Sequence, residues 1–312
     1  MRWRVIVEVV YALAPGLAAR PTVLTMGKFD GLHLGHQQLV STTVERANAL
    51  GFLSAVLTWE PHPNKVLRPD QPLELLTSLE EKVELIGRLG PDLLIVAPFT
   101  AETKATSAEA YMRQIVAAVP LRELWVGEDF AMGRGRAGDV PSLMAIGTEL
   151  GFAVGAVRKV LVDGQPVSAS RVREVLRAGE VERAVELLGR PFGLRGVVVP
   201  GDKRGREIGF PTANMAIAPE HVLPADGVYA CRVYLDGQGL PAATYVGPRP
   251  TFDGLRRTVE PHLLDWSGDL YGQSIRVEFL YRLRGDQKFT GVDELVAQIQ
   301  RDVARARELL GL

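Results

Sequence analysis

Two histidines three residues apart, His33 and His36, stand among three glycines at Gly27, Gly31 and Gly35. An apolar run at residues 23–26 precedes them and apolar residues at helical spacing follow, which predicts a strand, a glycine turn and a helix. The glycines let the backbone approach a bulky anion, and a helix N-terminus favours phosphate through its free amides and its dipole. An isolated histidine pair is usually structural, but the glycines here favour a nucleotide site.

The surrounding pattern predicts an α/β domain with a parallel sheet. A buried strand at residues 53–58 completes a β-α-β unit, and further strands are expected at 93–96, 121–126 and 153–157. A helix is expected from Leu73 to Gly87. His62 lies between two prolines, which exclude helix there and hold it extended at the edge where such sheets bind ligands. The alternative for His62 is an idle residue in a rigid loop.

Beyond residue 188 helical spacing gives way to short alternating runs, at residues 194–199, 228–235, 242–246, 258–264 and 274–283. Strands at such intervals, joined by glycine turns such as Asp236-Gly237, predict an antiparallel barrel or sandwich. A last helix is expected from about Gly291, capped by Thr290 with Asp293 as its capping-box partner. We place the domain boundary near residue 186, which gives domains at residues 1–185 and 186–312.

Composition excludes several classes of protein. A chain of 312 residues is longer than one core usually grows, and a net charge of −1 argues against a nucleic-acid binder. The single cysteine, Cys231, excludes an internal disulfide and fits a reducing cytoplasm. No run of eighteen apolar residues exists, so no membrane span is expected, and the alternation of Trp3, Val5, Val7 and Val9 indicates a strand rather than a signal peptide.

Two motifs resemble a known family. Residues 27–36 fit Gly-x-Phe-Asp-x-x-His-x-Gly-His, which is similar to the HxGH nucleotidyltransferases, and residues 205–214 contain Gly-Phe-Pro-Thr-Ala-Asn, which resembles the riboflavin kinase pattern. In this order the motifs resemble the bacterial bifunctional riboflavin kinase/FMN adenylyltransferase, or FAD synthetase, family over almost the whole chain. That resemblance implies a Rossmann-like N-terminal domain with a parallel sheet and a C-terminal antiparallel β-barrel kinase domain with a terminal helix.

The resemblance also implies site residues. Adenylyl transfer falls to His33 and His36, and the kinase general base is Glu260. The nucleotide-binding residues of the N-terminal domain are expected to be Gly27, Phe29, Asp30, Gly35, His62, Asp129, Arg136, Ser168, Ser170, Arg171 and Arg173. Those of the kinase domain are expected to be Gly201, Lys203, Gly205, Gly209, Phe210 and Pro211. Thr212 and Asn214 offer the hard oxygen ligands that suit Mg²⁺ held mainly by ATP phosphates.

Several positions depart from the family motifs, among them Trp59, Met132, Ala169 and Asp286. The implied function is phosphorylation of riboflavin to FMN by ATP, and adenylylation of FMN to FAD with release of pyrophosphate. Because Ala169 removes a hydroxyl from the Ser-Ser-Thr motif, one alternative is a riboflavin kinase with a weakened adenylyltransferase domain. The other is a non-catalytic flavin-binding regulator. No Walker A motif is present, so the kinase would lie outside the P-loop class.

Overall fold

A computed structural model describes residues 7–201, 204–251 and 254–312. The chain forms two compact units, of which the first ends at Ala169 and the second begins at Ser170. The predicted boundary near residue 186 falls within the second unit, because the helices before it bond to that unit: Ala225 donates its amide to the Leu176 carbonyl, and Arg282 bonds to Ala178. In the part of the chain that the structure describes, no helix combines the length and apolar character needed to cross a membrane.

The first unit is a six-stranded parallel sheet with helices on both faces. Its strands are β1 (Glu8–Val10), β2 (Thr22–Met26), β3 (Leu53–Glu60), β4 (Leu93–Pro98), β5 (Leu121–Gly127) and β8 (Ala153–Val157), in the order β1-β4-β3-β2-β5-β8. The helices are α1 (Leu34–Leu50), α2 (Pro63–Leu67), α3 (Leu79–Gly87), α4 (Ala101–Ala105), α5 (Ala108–Ala118) and α6 (Val140–Leu150). Two short hairpins, β6 (Ala131–Met132) with β7 (Gly138–Asp139) and β9 (Leu161–Val162) with β10 (Gln165–Pro166), complete it. The predicted parallel sheet is confirmed.

Alternation along the central strands divides the core between the two faces of the sheet. Leu94 packs with Val40 of α1 and Ile86 of α3, while the next residue, Ile95, packs with Met112 of α5 on the opposite face. Both sides of the strands are therefore buried, as a doubly covered parallel sheet requires. All six strands point the same way, so their carboxyl ends share one edge.

The second unit is a closed antiparallel barrel. Its strands are β11 (Phe192–Val199), β12 (Asn214–Ala216), β13 (Gly227–Leu235), β14 (Gln238–Thr251), β15 (Gly254–Leu263) and β16 (Ser274–Gly285), in the order β11-β12-β15-β14-β13-β16. Its helices are α7, which begins at Ala169 and ends at Ala178, α8 (Val181–Leu188), α9 (Arg204–Glu207) and α10 (Val292–Leu310). The predicted barrel and terminal helix are confirmed. Asp236 and Gly237, with φ of 47° and 83°, form the predicted hairpin turn between β13 and β14.

Two local predictions were wrong. The helix expected from Leu73 begins at Leu79, because Ser78 caps it in a capping box with Glu81. The last helix has Gly291 at its N-cap, and Thr290 bonds to Glu294 instead of Asp293. His62 itself is not helical, with φ of −50° and ψ of 130°, as predicted, although a short helix, α2, begins at Pro63, where the missing N–H of proline is not needed.

Candidate active sites

A strained turn follows the carboxyl end of β2. Phe29 and Leu32 have φ of 50° and 39°, in the left-handed region that residues other than glycine rarely occupy, and Gly31 between them has φ of 73°. A Cβ at Gly27 would lie 3.0 Å from the buried Phe29 ring, so a side chain there would press on that ring. Strain of this kind costs about 1–3 kcal/mol per residue and clusters at functional sites. The turn leads directly into α1.

The two histidines lie at the N-terminus of α1, as predicted. His33 is the N-cap and accepts a hydrogen bond from the His36 amide through Nδ1 at 3.4 Å. The two rings stack with centroids 3.7 Å apart, and Phe29 lies edge-on to His36 at 5.3 Å. Burial, the neighbouring His33 and the charge of Lys82 together hold the pKa of His36 well below 6.5. His36 is therefore neutral near pH 7, and within the described residues its buried Nδ1 has no hydrogen-bond partner.

Asp30 is bound to protein at a buried position. Its carboxylate accepts hydrogen bonds from the amides of Leu76 at 2.9 Å and Thr77 at 3.2 Å. The residue as a whole is 2% exposed. The Gly31 amide donates to the Thr77 hydroxyl at 3.1 Å. These bonds tie the turn to the segment that leads into α3. That Asp30 contacts the nucleotide stays a prediction. Its hydrogen bonds show that it anchors the turn to the segment before α3.

His62 comes next to this turn at the end of β3. It is buried, forms the N-cap of α2 and accepts the Asn64 amide through Nδ1 at 3.2 Å. The Lys28 ammonium donates to the Asn64 side chain at 3.0 Å, which joins α2 to the turn after β2. This bond and the pairing of β2 with β3 place the loop after β2 and the loop after β3 side by side at the carboxyl edge of the sheet.

Gly35 brings a later segment to the histidine turn. A Cβ at this position would lie 3.3 Å from the His33 ring and 4.0 Å from the Val167 carbonyl oxygen. Ser168 therefore follows directly on a residue that lies beside the turn. Ser170, Arg171 and Arg173 belong to the second unit, on α7, and their part in the nucleotide site stays a prediction.

The other two predicted residues of the first unit lie after β5. Asp129 is exposed and forms an ion pair with Lys159 at 2.9 Å. Arg136 is exposed, with φ of 61°, in the short loop between β6 and β7. Neither contact joins them to the histidines, so the nucleotide-binding roles of Asp129 and Arg136 stay predictions.

In the second unit, Glu260 lies on β15 with its carboxylate held from two sides. The Thr258 hydroxyl donates to Oε1 at 3.0 Å, and the Thr212 hydroxyl lies 3.5 Å from Oε2. Tyr245 is the residue opposite on β14, and its hydroxyl lies 3.4 Å from Asp286. Burial, then Asp286 and more distantly Glu260, raise the pKa of Tyr245 to about 12. The glutamate is thus a partly buried carboxylate in a defined orientation.

Close packing folds the Gly-Phe-Pro-Thr-Ala-Asn motif beside Glu260. His262 Nδ1 lies 2.8 Å from the Pro211 carbonyl, and its ring meets Phe210 edge-on at 5.5 Å. The Pro261 carbonyl accepts the Ala213 amide at 2.9 Å, at a point where the pairing of β12 with β15 has already ended. Because β12 begins only at Asn214, Pro261 faces the end of that short strand, where a proline is tolerated.

Three glycines shape the same motif. A Cβ at Gly205 would lie 2.4 Å from the Phe210 carbonyl oxygen, and a Cβ at Gly201 would lie 2.1 Å from the Asn214 side chain. Gly209 has φ of 86°, a conformation that favours glycine. Gly201 and Gly205 thus pack against the motif, and Thr212 of the motif reaches Glu260. Lys203 lies outside the described residues.

A cavity of about 260 Å³ lies next to the motif. Its lining includes Pro211, Thr212, Pro261, Trp266 and Tyr271, together with the charged side chains of Arg206 and Asp269. Apolar and aromatic side chains with a few polar groups are the usual lining of a small-molecule site. Sequence reasoning missed Tyr245 and Tyr271, which carry no motif.

Lys82 of α3 was also missed, although a signal was present. Leu79, Lys82, Val83 and Ile86 share one helix face, so the spacing alone puts a lysine on the apolar stripe. The structure buries it, at 3% exposure, and its charge acts on Asp30.

Comparisons with known proteins agree with this division into two sites. The sequence matches family models described as FAD synthetase at residues 17–171 and riboflavin kinase at residues 188–310. A bifunctional riboflavin kinase/FMN adenylyltransferase of Bacillus subtilis is 35% identical over 291 residues, which cover 91% of each chain. The Escherichia coli K12 protein of the same name is 38% identical over 292 residues, which cover 93% of each chain.

A crystal structure described as a macrolide-efflux protein from Streptococcus pneumoniae has the same fold. It is 30% identical with a TM-score of 0.88, and the match covers 97% of this chain and 99% of that one. The two family models, in this order, and relatives matched over more than nine-tenths of their length show that the chain belongs to the bifunctional riboflavin kinase/FMN adenylyltransferase family.

Proposed function

We propose that the chain catalyses two consecutive reactions at two separate sites. In the second unit, ATP phosphorylates riboflavin to give FMN and ADP; in the first unit, ATP and FMN give FAD and pyrophosphate. The observation that supports this division best is the pair of unlike sites: a histidine turn at a helix N-terminus in one unit, and a carboxylate held by two hydroxyls in the other.

The first-unit site suits adenylyl transfer. The attacking group is the FMN phosphate, which is already anionic, so the reaction needs positioning and neutralisation of charge but no general base. The amides at the start of α1 and the histidine rings beside them are groups that can bind a triphosphate. Attack of an FMN phosphate oxygen on the α-phosphorus forms one P–O bond as the bond to pyrophosphate breaks.

The second-unit site suits phosphoryl transfer to an alcohol. The ribityl hydroxyl of riboflavin is neutral and must lose its proton as it attacks the γ-phosphorus of ATP. Glu260 is a carboxylate in a fixed orientation and would accept that proton, a role that usually contributes ~10²- to 10⁴-fold in rate. The cavity beside Thr212 would bind one portion of a substrate molecule.

A magnesium ion fits the same motif through Thr212 and Asn214. Two oxygen ligands from the protein suffice for Mg²⁺ in a nucleotide site, because phosphates and water complete its coordination. When bound, the ion would neutralise phosphate charge. A cytoplasmic location, no nucleic-acid partner and a free thiol at Cys231 belong to the same proposal.

Product analysis tests the proposal. The purified chain is incubated with ATP and Mg²⁺ and either riboflavin or FMN, and flavins are separated by chromatography. We expect FAD from both starting flavins, and no turnover when a chelator removes the metal. FMN that accumulates from riboflavin, without FAD from supplied FMN, would favour the monofunctional kinase. Flavin binding without turnover would favour the regulator.

A further inference from the structure

Lys82 is a buried lysine near the start of α3, a position where burying its charge costs free energy. It is the fourth residue of α3 and is 3% exposed, packed among the apolar residues of that helix face. Within the described part of the chain its ammonium has no hydrogen-bond or ion-pair partner, and burial lowers its pKa. A cation near a helix N-terminus is also disfavoured by the helix dipole. The carboxylates of Asp30 and Glu60 offset part of this cost, so the lysine belongs to a group of charges and not to the apolar core alone.

The segment that leads into α3, which carries Lys82, is bonded to the histidine turn. Asp30 bonds to the amides of Leu76 and Thr77, just before α3 begins. A Cβ on Gly31 would lie 2.7 Å from Leu76, which shows how closely the two segments pack. The Ser78 capping box then fixes the first turn of α3, and the Lys82 amide bonds to the Ser78 carbonyl at 3.0 Å. The lysine therefore has a set position relative to the turn.

The charged groups around this lysine are those of the first-unit site. Lys82 is acted on by the carboxylates of Asp30 and Glu60, and His36 is acted on by His33 and Lys82. We propose that Lys82 is a positioning residue for adenylyl transfer, whose buried ammonium acts through Asp30 and His36 to keep the histidine turn ready for a triphosphate. This inference rests on the proposed function of the first unit.

The proposed role of Lys82 follows from the charges on Lys82, His36 and the arriving triphosphate. Burial above all, then His33 and the protonated Lys82, disfavour a positive charge on His36, so the free site holds a neutral imidazole. Among the residues that the structure describes, its buried Nδ1 has no hydrogen-bond partner. An arriving triphosphate brings negative charge that offsets the ammonium. His36 can then take up a proton or donate a hydrogen bond to the phosphates, and the turn gains positive charge only when substrate is present.

Three variants test the inference in the full-length chain. Lys82→Met removes the charge and keeps the length of the side chain, Lys82→Arg keeps the charge, and Lys104→Met alters an exposed lysine on α4 as the matched control. The chain has 5 histidines, so His36 is assignable in NMR spectra by comparison with a His36→Gln chain. Each variant is measured for His36 titration, thermal unfolding and both enzymatic activities.

We expect Lys82→Met to raise the pKa of His36 and to lower kcat/KM for FAD formation by about 10- to 100-fold. Lys82→Arg should recover most of that loss, while riboflavin kinase activity stays at the wild-type level in every variant. A Lys82→Met chain with a lower melting temperature and unchanged His36 titration would show a merely structural lysine. Wild-type FAD formation with Lys82→Met would also overturn the inference, whereas a wild-type chain that makes no FAD from FMN would overturn the proposed function instead.

Discussion

Replacing Asp30 with alanine tests whether this residue anchors the histidine turn. The substitution leaves the buried amides of Leu76 and Thr77 without the acceptor that now lies at 2.9 and 3.2 Å. Each unsatisfied buried amide costs ~1–3 kcal/mol, so the free energy of unfolding should fall by ~2–6 kcal/mol. In a domain of 150–250 residues this corresponds to a fall of about 4–24 °C in melting temperature.

Scanning calorimetry of the full-length chain measures this loss, and Asp30→Asn is the matched control. Asparagine keeps an oxygen at the same place, so both amide bonds can remain and the melting temperature should fall by less than half as much. Riboflavin kinase activity at 25 °C should survive in both variants, because Asp30 belongs to the first unit. An Asp30→Ala chain that melts within 2 °C of wild type but no longer binds ATP would refute the anchoring role and make Asp30 a direct nucleotide contact.

Three further predictions concern pH, packing and the kinase site. The folded chain holds the pKa of His36 below 6.5 while the unfolded chain binds a proton near 6.5, so stability should fall as pH drops below 6.5, and His36→Gln should flatten that part of a urea-denaturation profile. Gly31→Ala should destabilise the chain by more than Gly51→Ala in the same assay, because both residues have positive φ but only the first would bring a Cβ within 2.7 Å of another side chain. Thr258→Val removes the 3.0 Å hydrogen bond to the proposed base and should slow riboflavin phosphorylation without slowing FAD formation from FMN; equal slowing of both reactions would contradict the separation of sites.

Periodic patterns in the sequence predicted the elements that carry the first site. The apolar run of β2, the glycines after it and the helical spacing of α1 each agree with the structure, and Gly51 ends α1 in the left-handed conformation. Such elements were predictable because local preference and tertiary packing favour the same state.

Where tertiary contacts decided the outcome, sequence reasoning failed. The leucines at residues 73–76 have helical spacing, but Asp30, more than forty residues away, takes the amides of Leu76 and Thr77, and the helix begins later. Lys82 was passed over for a related reason. Its place on the apolar stripe was readable, yet its importance depends on Asp30 and His36, which the fold brings to it. β12, a strand of three residues, is too short to show a period.

The most direct test of the two-site account is a reciprocal assay of His36→Ala and Glu260→Gln chains, each supplied with ATP and Mg²⁺ and then with riboflavin or FMN. The account predicts that His36→Ala converts riboflavin to FMN at the wild-type rate and makes little FAD. Glu260→Gln should lose ~10²- to 10⁴-fold in riboflavin phosphorylation and still convert supplied FMN to FAD normally. Loss of both activities in either correctly folded variant, or wild-type riboflavin phosphorylation by Glu260→Gln, would contradict it.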